Sequence, residues 1–355
     1  MRLTDLNITN FRNIGQAALS FEGTRQFFCG ANGQGKTNLL EAIGMITAMR
    51  SFRTTKRLPL LRQEEPHASI GAQVELEPGT TTQIDVRLSR VARKAFVDET
   101  PVEKFSEFIG HYPTVTLSSE DIQLLRGAPS LRRRFFDLIL SFGEPLYLDT
   151  LRKYHNTLKH RNALLKLEDP RPQLPAFDTQ LAQQATTLVQ LRRDALLQIQ
   201  SHLARFYGGI AQSDTETPAI LYEPSKATET AEDFSALLQT NLDRDIFSGT
   251  TNIGPHRDDY ALQLNGNPAL EYASEGQQRA LVLALRFAQF TYFQEKSGTT
   301  PILLADDILG ELDPARRERF WEAIPPDTQL VATGTSLPSD PEPWQAFHVD
   351  NGTFS

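Results

Sequence analysis

The spacing of hydrophobic residues changes along the chain, and each spacing predicts a different element. Near the amino terminus, apolar and polar positions alternate as at a sheet edge, and the run Gln26-Phe27-Phe28-Cys29 ends at glycines. From Thr37 to Ala48 the apolar residues recur at helical spacing, so a strand, a glycine loop and a helix are expected in succession. Residues 69–103 alternate with a period of two around Pro78-Gly79, which predicts an antiparallel meander.

The middle of the chain, from about 130 to 245, has the longer period of helices. One stripe runs from Leu148 to Leu165, prolines at 170, 172 and 175 interrupt it, and a second stripe runs from Phe177 to Phe206. This predicts a helical hairpin with short coiled-coil character.

The last part of the chain returns to strands. The alternation that ends at Asn265-Gly266 predicts a hairpin, and a long helix is expected from Gln277 to about Phe293. Two further strands are predicted, at the apolar run Pro301-Ile302-Leu303-Leu304-Ala305 and at Gln329-Leu330-Val331-Ala332.

The composition is that of an ordinary globular protein. With 355 residues, 39% of them hydrophobic and 23% charged, the chain can form one large core or two lobes, and we expect two. The single cysteine, Cys29, cannot form an internal disulfide and is expected to be a buried strand thiol, which favours a reducing compartment. No stretch reaches the ~18 apolar residues of a membrane span, so we predict a cytoplasmic protein with no membrane partner.

The net charge of −8 argues against a uniformly basic coat, so any contact with nucleic acid has to come from local clusters. Two stretches are basic and contain no acidic residue. They are Arg50, Arg53, Lys56, Arg57 and Arg62 in the first, and Arg152, Lys153, Lys159, Arg161 and Lys166 in the second. Each either contacts phosphates or is a solvated surface.

The loop between the predicted first helix and the strand before it fits the P-loop pattern. It reads Gly30-Ala31-Asn32-Gly33-Gln34-Gly35-Lys36-Thr37. In such a loop glycines let backbone N–H groups surround the phosphates, Lys36 neutralises the β- and γ-phosphates, and the Thr37 hydroxyl binds Mg²⁺. We therefore predict a site for ATP and Mg²⁺.

An acid pair, Asp306-Asp307, closes the strand run that begins at Pro301. Asp306 is expected to hold Mg²⁺ through water, and Asp307 to accept a proton from attacking water. The alternative is a helix-capping acid pair at a strand end.

A third segment, Ala273-Ser274-Glu275-Gly276-Gln277, precedes the long helix. Ser274 and Gln277 have the spacing of a capping box, which by itself indicates only a capped helix. Together with the P-loop and the acid pair, the segment resembles the signature motif of ABC-type ATPases. Ser274, Gly276 and Gln277 at a helix N-terminus then provide a second anion site, whose phosphate belongs to another copy of the chain.

Over nearly its whole length the chain resembles the RecF family. The segments that carry the resemblance, besides the P-loop and the Ser274 motif, are Asn10-Phe11-Arg12-Asn13, Asn38-Leu39-Leu40-Glu41-Ala42, Ser51-Phe52-Arg53, Arg132-Arg133 with Phe136-Asp137, Gly254-Pro255-His256-Arg257-Asp258-Asp259, and Glu311-Leu312-Asp313.

The resemblance implies an α/β fold, an ABC-type ATPase head like those of SMC proteins. It would have a P-loop mixed sheet, an antiparallel subdomain and an inserted helical arm lobe. Residues 1–129 and 246–355 would then form the two parts of the ATPase lobe, and residues 130–245 the arm. The match also implies that Arg12 and Asn38 border the nucleotide and that Glu311-Leu312-Asp313 crosses a dimer seam.

By the same resemblance, the expected function is ATP-dependent recombinational repair and replication restart, with a part in the SOS response. It includes ATP-driven homodimerisation on double-stranded and gapped DNA, slow Mg²⁺-dependent hydrolysis, and loading of RecA at single-strand gaps with RecO and RecR. Two alternatives remain, the nucleotide-binding subunit of an ABC transporter and a structural DNA clamp with incidental hydrolysis.

Three positions depart from the family or ABC pattern. Glu275 stands where a basic residue is expected, and Ser119 replaces an expected proline in a segment with no clear Mg²⁺-contacting glutamine. Thr333-Gly334-Thr335 stands where ABC transporters place a histidine.

Overall fold

The computed structural model describes residues 1–54, 56–77, 79–104, 108–213, 215–308, 314–337 and 343–355. Contacts divide the chain into two compact units. Unit 1 is Met1–Asp121, Phe206–Ser213 and Val282–Ser355, and unit 2 is Ile122–Arg205 and Asp214–Leu281. In the described part of the chain, no helix is both long and apolar enough to span a membrane.

The strands in chain order are β1 (Arg2–Phe11), β2 (Ile14–Ser20), β3 (Arg25–Cys29), β4 (His67–Glu77), β5 (Thr80–Ser89), β6 (Arg93–Val97), β7 (Thr100–Pro101), β8 (Thr114–Ser118), β9 (Pro218–Glu223), β10 (Asp259–Leu264), β11 (Asn267–Pro268), β12 (Ile302–Asp306), β13 (Leu330–Gly334), β14 (Gln345–Asp350) and β15 (Thr353–Phe354). The α-helices are α1 (Lys36–Ala48), α2 (Gln123–Arg126), α3 (Pro129–Gly143), α4 (Pro145–Leu164), α5 (Leu174–Ala211), α6 (Ala231–Thr240), α7 (Leu242–Ser248), α8 (Ala269–Tyr272), α9 (Glu275–Ser297) and α10 (Pro314–Ala323).

One sheet of unit 1 contains the antiparallel meander that the period-two spacing of residues 69–103 predicts, as strands β4 to β7, together with β1 and β2. Its strand order is β2-β1-β4-β5-β6-β7. Alternate side chains of β1 and β4 point to the core, where Leu6 faces Ala72 and Ile8 faces Ile70, and all four are almost completely buried. Side chains of α1, such as Ile43, belong to the same core cluster.

The second sheet of unit 1 is mostly parallel, in the order β15-β14-β3-β13-β12-β8, and only the β14–β15 pair is antiparallel. Strands β12 and β13 are almost continuous apolar runs, as expected for strands covered on both faces. The carboxyl ends of β3, β13 and β12 lie side by side at one edge. Gly30, Asp307 and Thr335, the first residues after these three strands, therefore lie at the same end of the sheet.

Unit 2 contains the predicted helical hairpin and a small sheet. Helix α4 ends at Leu164 and α5 begins at Leu174, so the break falls where the prolines are; Pro175 lies inside the first turn of α5 and does not interrupt it. The prediction of helices throughout residues 130–245 was wrong at β9, which pairs with β10 in the order β11-β10-β9. The partner strand is distant in sequence, and a six-residue strand has too little periodicity to stand out.

The compact units divide the chain differently from the three ranges of the sequence analysis. Residues 246–281, which carry the Ser274 segment, belong to unit 2, because β10 pairs with β9 there. Unit 2 also begins at Ile122 rather than at residue 130.

A buried arginine anchors the Gly254–Asp259 segment inside unit 2. Arg192 is 1% exposed and pairs with Asp258 at 3.0 Å and Asp137 at 2.9 Å, while also donating to the Tyr147 hydroxyl and the Pro255 carbonyl. A buried charge is tolerated only when it is paired in this way. The Gly254–Asp259 segment, one of those that carry the family resemblance, therefore has a structural role in unit 2.

Candidate nucleotide site and basic surfaces

The P-loop joins β3 to α1, as predicted. Gly33 and Gly35 have φ values of 81° and 113°, a left-handed region that favours glycine, while Ala31, Asn32 and Gly33 are exposed. Gly35 is the N-cap of α1, and no side chain caps that helix. Its first-turn N–H groups therefore point to a ligand position suited to an anion.

The side chain of Lys36 folds back over the loop. It is 6% exposed, and its Nζ donates to the carbonyls of Gly30 and Ala31, the latter at 3.0 Å. The ammonium group thus lies inside the loop, where it also balances the carbonyl dipoles.

The C-terminal hairpin and Asn13 hold the P-loop from outside. The Gln34 carbonyl accepts from the Gly352 N–H at 2.8 Å and from Asn13 Nδ2 at 3.1 Å, and the Gln34 side chain accepts from the Asn351 N–H at 2.7 Å. A Cβ on Gly352 would lie 2.6 Å from the Asn13 carbonyl oxygen, so only glycine fits there. No local pattern in the sequence links residues so far apart.

The acid pair lies beside the P-loop because β13 alone separates β3 from β12. The Thr37 hydroxyl donates to Asp306 Oδ1 at 2.8 Å, and the Thr333 hydroxyl lies 3.0 Å from the same oxygen. Asp307 has a positive φ of 55°, and its N–H donates to the Thr333 hydroxyl at 3.0 Å. The two acids and Thr37 are recognisable as candidate site residues from the sequence, whereas the place of Thr333 between them follows only from the fold.

The residues around Asp306 fit a magnesium ion. Burial raises the pKa of the Asp306 carboxyl, which the hydroxyls of Thr37 and Thr333 lower only in part. A cation would favour the ionised form, and hydroxyl and carboxylate oxygens are ligands that Mg²⁺ accepts. Among the described residues, no group of three His, Cys, Asp or Glu side chains is assembled to hold a metal. An ion here would therefore need phosphate and water oxygens as further ligands.

Arg12 and Asn38, expected at the nucleotide, are engaged in a polar network beside the P-loop. Arg12 donates to both carboxylate oxygens of Glu41, at 2.9 and 2.7 Å, and Glu41 is completely buried. Asn38 donates to Asn13 at 2.8 Å and accepts from Arg53 at 3.0 Å. In this conformation both residues form hydrogen bonds with side chains beside the P-loop and on α1. Their contact with a nucleotide stays a prediction.

The Ser274 segment forms the capping box that its spacing predicts. The Ser274 N–H donates to Gln277 Oε1 at 2.7 Å, and the Gln277 N–H donates to the Ser274 hydroxyl at 3.3 Å. Ser274 is exposed, and the unexpected Glu275 pairs with Arg279 one turn later at 3.2 Å. Gln278 donates to three carbonyls of the preceding turn, including that of Ala273, which fixes the segment.

Two further predictions concern the segment Glu311-Leu312-Asp313 and the burial of Cys29. Glu311-Leu312-Asp313 lies outside the described residues. The prediction that Cys29 is buried was wrong: it is the last residue of β3, at the carboxyl end of that strand, and is partly exposed, with its thiol 3.3 Å from the Thr335 carbonyl.

In the folded chain Arg93, from the β5–β6 hairpin, lies near the first basic stretch. The Arg93 guanidinium, on β6, donates to the Met49 carbonyl at 2.7 Å, and Arg57 donates to the Val91 carbonyl. Burial lowers the pKa of Arg93, and the nearby charges of Arg50 and Arg57 lower it further. Like charges held this close repel one another unless an anion lies between them.

In the second basic stretch, one arginine is buried and does not contribute to the surface charge. Arg161 is completely buried and pairs with Asp178 at 2.6 Å and Asp245 at 2.8 Å, so its expected contact with phosphates was wrong. Lys153 pairs with Asp149 on the surface at 2.6 Å. An open cavity of about 430 Å³ on α4 remains basic; it is lined by His155, Leu158, Lys159, Asn162, Ala163 and Lys166.

His256, in the Gly254–Asp259 segment, does not add positive charge to the basic regions. Burial lowers its pKa to about 4, and its ring contacts the Tyr154 hydroxyl at 2.7 Å and the Thr251 carbonyl at 3.0 Å. At neutral pH it is therefore uncharged.

Comparison with known proteins agrees with this geometry. The model of the RecF/RecN/SMC N-terminal domain matches residues 2–333. The "DNA replication and repair protein RecF" of Geobacter metallireducens is 38% identical over the whole length of both chains, and that of Streptococcus suis is 36% identical over 99% of this chain and 98% of the relative.

Solved structures show the same similarity. The recombination mediator protein RecF with ATP, from the RecFOR pathway, superposes with a TM-score of 0.91 at 29% identity, covering 99% of this chain and 96% of the other. An SMC head bound to the C-winged helix domain of ScpA has a TM-score of 0.53 at 15% identity over 100% and 97% of the two chains, a likeness of fold alone. The fold is therefore that of an ABC-type ATPase head, and the chain belongs to the RecF family.

Proposed function

We propose that this protein is an ATP-dependent DNA-binding ATPase of recombinational repair and replication restart. It dimerises on ATP and assists the loading of RecA at single-strand gaps, together with RecO and RecR. The observation that carries the proposal is the 2.8 Å hydrogen bond between Thr37 of the P-loop and Asp306 of the acid pair. It brings groups that can bind phosphate and a metal ion together at the carboxyl end of the parallel strands. The RecF structure with ATP is support from a relative.

In the proposed reaction, Lys36 and the N–H groups of the P-loop bind the β- and γ-phosphates of ATP. Thr37 and Asp306 would hold Mg²⁺, which would neutralise charge on the phosphates. A water oxygen bonds to the γ-phosphorus while the bond to the β–γ bridging oxygen breaks, and Asp307 takes the proton of the water. The products are ADP and phosphate.

The second half of each site is proposed to come from another copy of the chain. Ser274 is exposed at the N-terminus of a 23-residue helix, and its 3.3 Å capping contact is long enough to be exchanged for a phosphate oxygen. Dimerisation is then driven by ATP, because the γ-phosphate is bound from both sides.

The solution mass of the protein tests this proposal. The mass should double with ATP and Mg²⁺, remain that of one chain with ADP, and double at lower ATP concentration when duplex DNA is present. A single-chain mass in saturating ATP, with and without DNA, would contradict the proposed function.

Each of the two basic regions is proposed to contact DNA, so affinity should depend strongly on salt. Replacing Arg50, Lys56 and Arg57 by alanine, or Arg152, Lys159 and Lys166 by alanine, should reduce the slope of log affinity against log salt. The expected reduction is about 0.9 per phosphate contact removed, hence up to roughly 2.7 for each triple variant. Fluorescence anisotropy of labelled duplex DNA at several salt concentrations measures the slope.

Lys296→Ala is the matched control, because it removes an exposed lysine at the end of α9 and should leave the slope unchanged. Arg161 is kept in all variants, since removing it would leave two buried carboxylates unpaired. If either triple variant keeps the wild-type slope, that region is not part of the DNA surface.

A further inference from the structure

We propose that Thr333 is a positioning residue for ATP hydrolysis, which aligns both acids of the site through one hydroxyl group. The inference rests on the proposed ATPase function. It assigns a role to one residue of Thr333-Gly334-Thr335, the segment that stands where ABC transporters place a histidine.

The position of Thr333 follows from the strand order. Strand β13 lies between β3, which leads into the P-loop, and β12, which ends in the acids. The register pairs Thr333 with Asp306 on one side and with Phe28 on the other. Thr333 is completely buried, so its hydroxyl must find its partners within the site.

The direction of both hydrogen bonds can be assigned. The Asp307 N–H, 3.0 Å from the Thr333 hydroxyl, can only donate, so the hydroxyl oxygen accepts there. The hydroxyl proton is then directed to Asp306 Oδ1, at 3.0 Å. Asp306 Oδ1 also accepts from Thr37, which leaves Oδ2 for other ligands. One hydroxyl thus orients the proposed metal-binding carboxylate and holds the backbone of the proposed base.

Asp307 needs such a restraint because its backbone is in the left-handed region, with φ of 55°. That conformation is unfavourable for a residue with a Cβ and persists only where its surroundings enforce it. The bond from the Asp307 N–H to Thr333 provides the restraint at the residue whose carboxylate must meet the attacking water. Without it Asp307 can relax, and a shift of about 1 Å is enough to slow a reaction about a hundredfold.

The test compares Thr333→Val, which keeps the shape and removes the hydroxyl, with Thr333→Ser, which keeps the hydroxyl. Thr333→Val should reduce kcat about tenfold to a hundredfold and leave the dissociation constant for ATP within about twofold, while Thr333→Ser should retain most of the turnover. Thr335→Val is the matched control, because its side chain is exposed two residues further along the chain. Thermal unfolding of each variant, with and without nucleotide, shows that it is folded and binds.

A double variant separates positioning from a general packing effect. If Thr333 acts through Asp307, then Thr333→Val combined with Asp307→Asn should be no slower than Asp307→Asn alone, because the group being positioned is already lost. Losses that multiply, wild-type turnover in Thr333→Val, or no recovery with serine would each overturn the proposal. If the wild-type protein binds ATP without hydrolysing it, the proposed ATPase function fails before Thr333 is tested.

Discussion

An equal mixture of the Asp307→Asn and Ser274→Ala variants is expected to recover about a quarter of the wild-type ATP turnover, although each variant alone should be impaired. Each proposed site takes Asp307 from one protomer and Ser274 from the other. In a homodimer of either variant, both sites are therefore defective. In a mixed dimer both defects fall in one site and the second site is intact.

The size of the recovery follows from random pairing. About half of the dimers are mixed and each has one intact site of two, which gives roughly a quarter of full turnover if the sites act independently. Coupling between the sites would lower this fraction. Asp307→Asn is suited to the experiment because it should still bind ATP and so still form the dimer.

The capping box adds a control to this experiment. Ser274→Ala removes a helix cap and should cost about 0.5–2 kcal/mol of stability irrespective of catalysis. Thr230→Ala removes a similar capping box at α6, outside the site, and should lower stability without lowering turnover. If mixed dimers form in ATP and turnover stays at the level of the single variants, independent composite sites are excluded. Normal hydrolysis by Ser274→Ala would exclude the signature role itself.

Lys36→Ala is expected to abolish the ATP-dependent doubling of the solution mass. The ammonium group neutralises phosphate charge that otherwise repels the approach of a second protomer, and without it the dimeric state is no longer favoured by ATP. Sedimentation or light scattering with and without ATP measures the effect. A mass that still doubles in this variant would contradict the prediction.

The contacts of Lys36 with the Gly30 and Ala31 carbonyls make a second control necessary. Because the side chain also holds the loop, the variant should be compared with the wild type by thermal unfolding without nucleotide. Lys296→Ala removes a lysine outside the site and should dimerise normally. An unfolding temperature close to that of the wild type, together with a single-chain mass in ATP, assigns the loss to nucleotide binding.

Local patterns in the sequence predicted the parts of the site that are built from consecutive residues. Strands and helices have recognisable periods, so the strand and helix that flank the P-loop, the strand that ends at Asp306 and the Ser274 capping box all form as predicted. The hairpin at Asn265-Gly266 is of the same kind, because its backbone needs the positive φ values of 53° and 75° that asparagine and glycine tolerate.

Local patterns gave wrong or incomplete predictions where the partner that determines a residue's environment is distant in the sequence. Arg161 was grouped with its basic neighbours on α4, yet Asp245, 84 residues later, holds it in the interior. For the same reason the sequence did not show that Arg93 lies near Arg50 and Arg57, because only the hairpin of β5 and β6 brings it there. Charge along the sequence shows how many basic groups are present, whereas folding decides which of them remain at the surface.

The sequence by itself determined the motifs of this protein, namely a loop with the P-loop pattern, two carboxylates at a strand end and a capped helix that begins beside Ser274. The contacts of Lys36 within the P-loop and those of the capping box are hydrogen bonds between residues a few positions apart, whereas the acid pair meets Thr37 only through the fold. Only the tertiary structure decided that β13 separates β3 from β12, that Thr333 contacts both acids, and that the C-terminal turn holds Gln34. Strand order and buried ion pairs depend on contacts between distant segments, and no local period encodes such contacts; Gln34 and Asn351, for example, are 317 residues apart in the sequence.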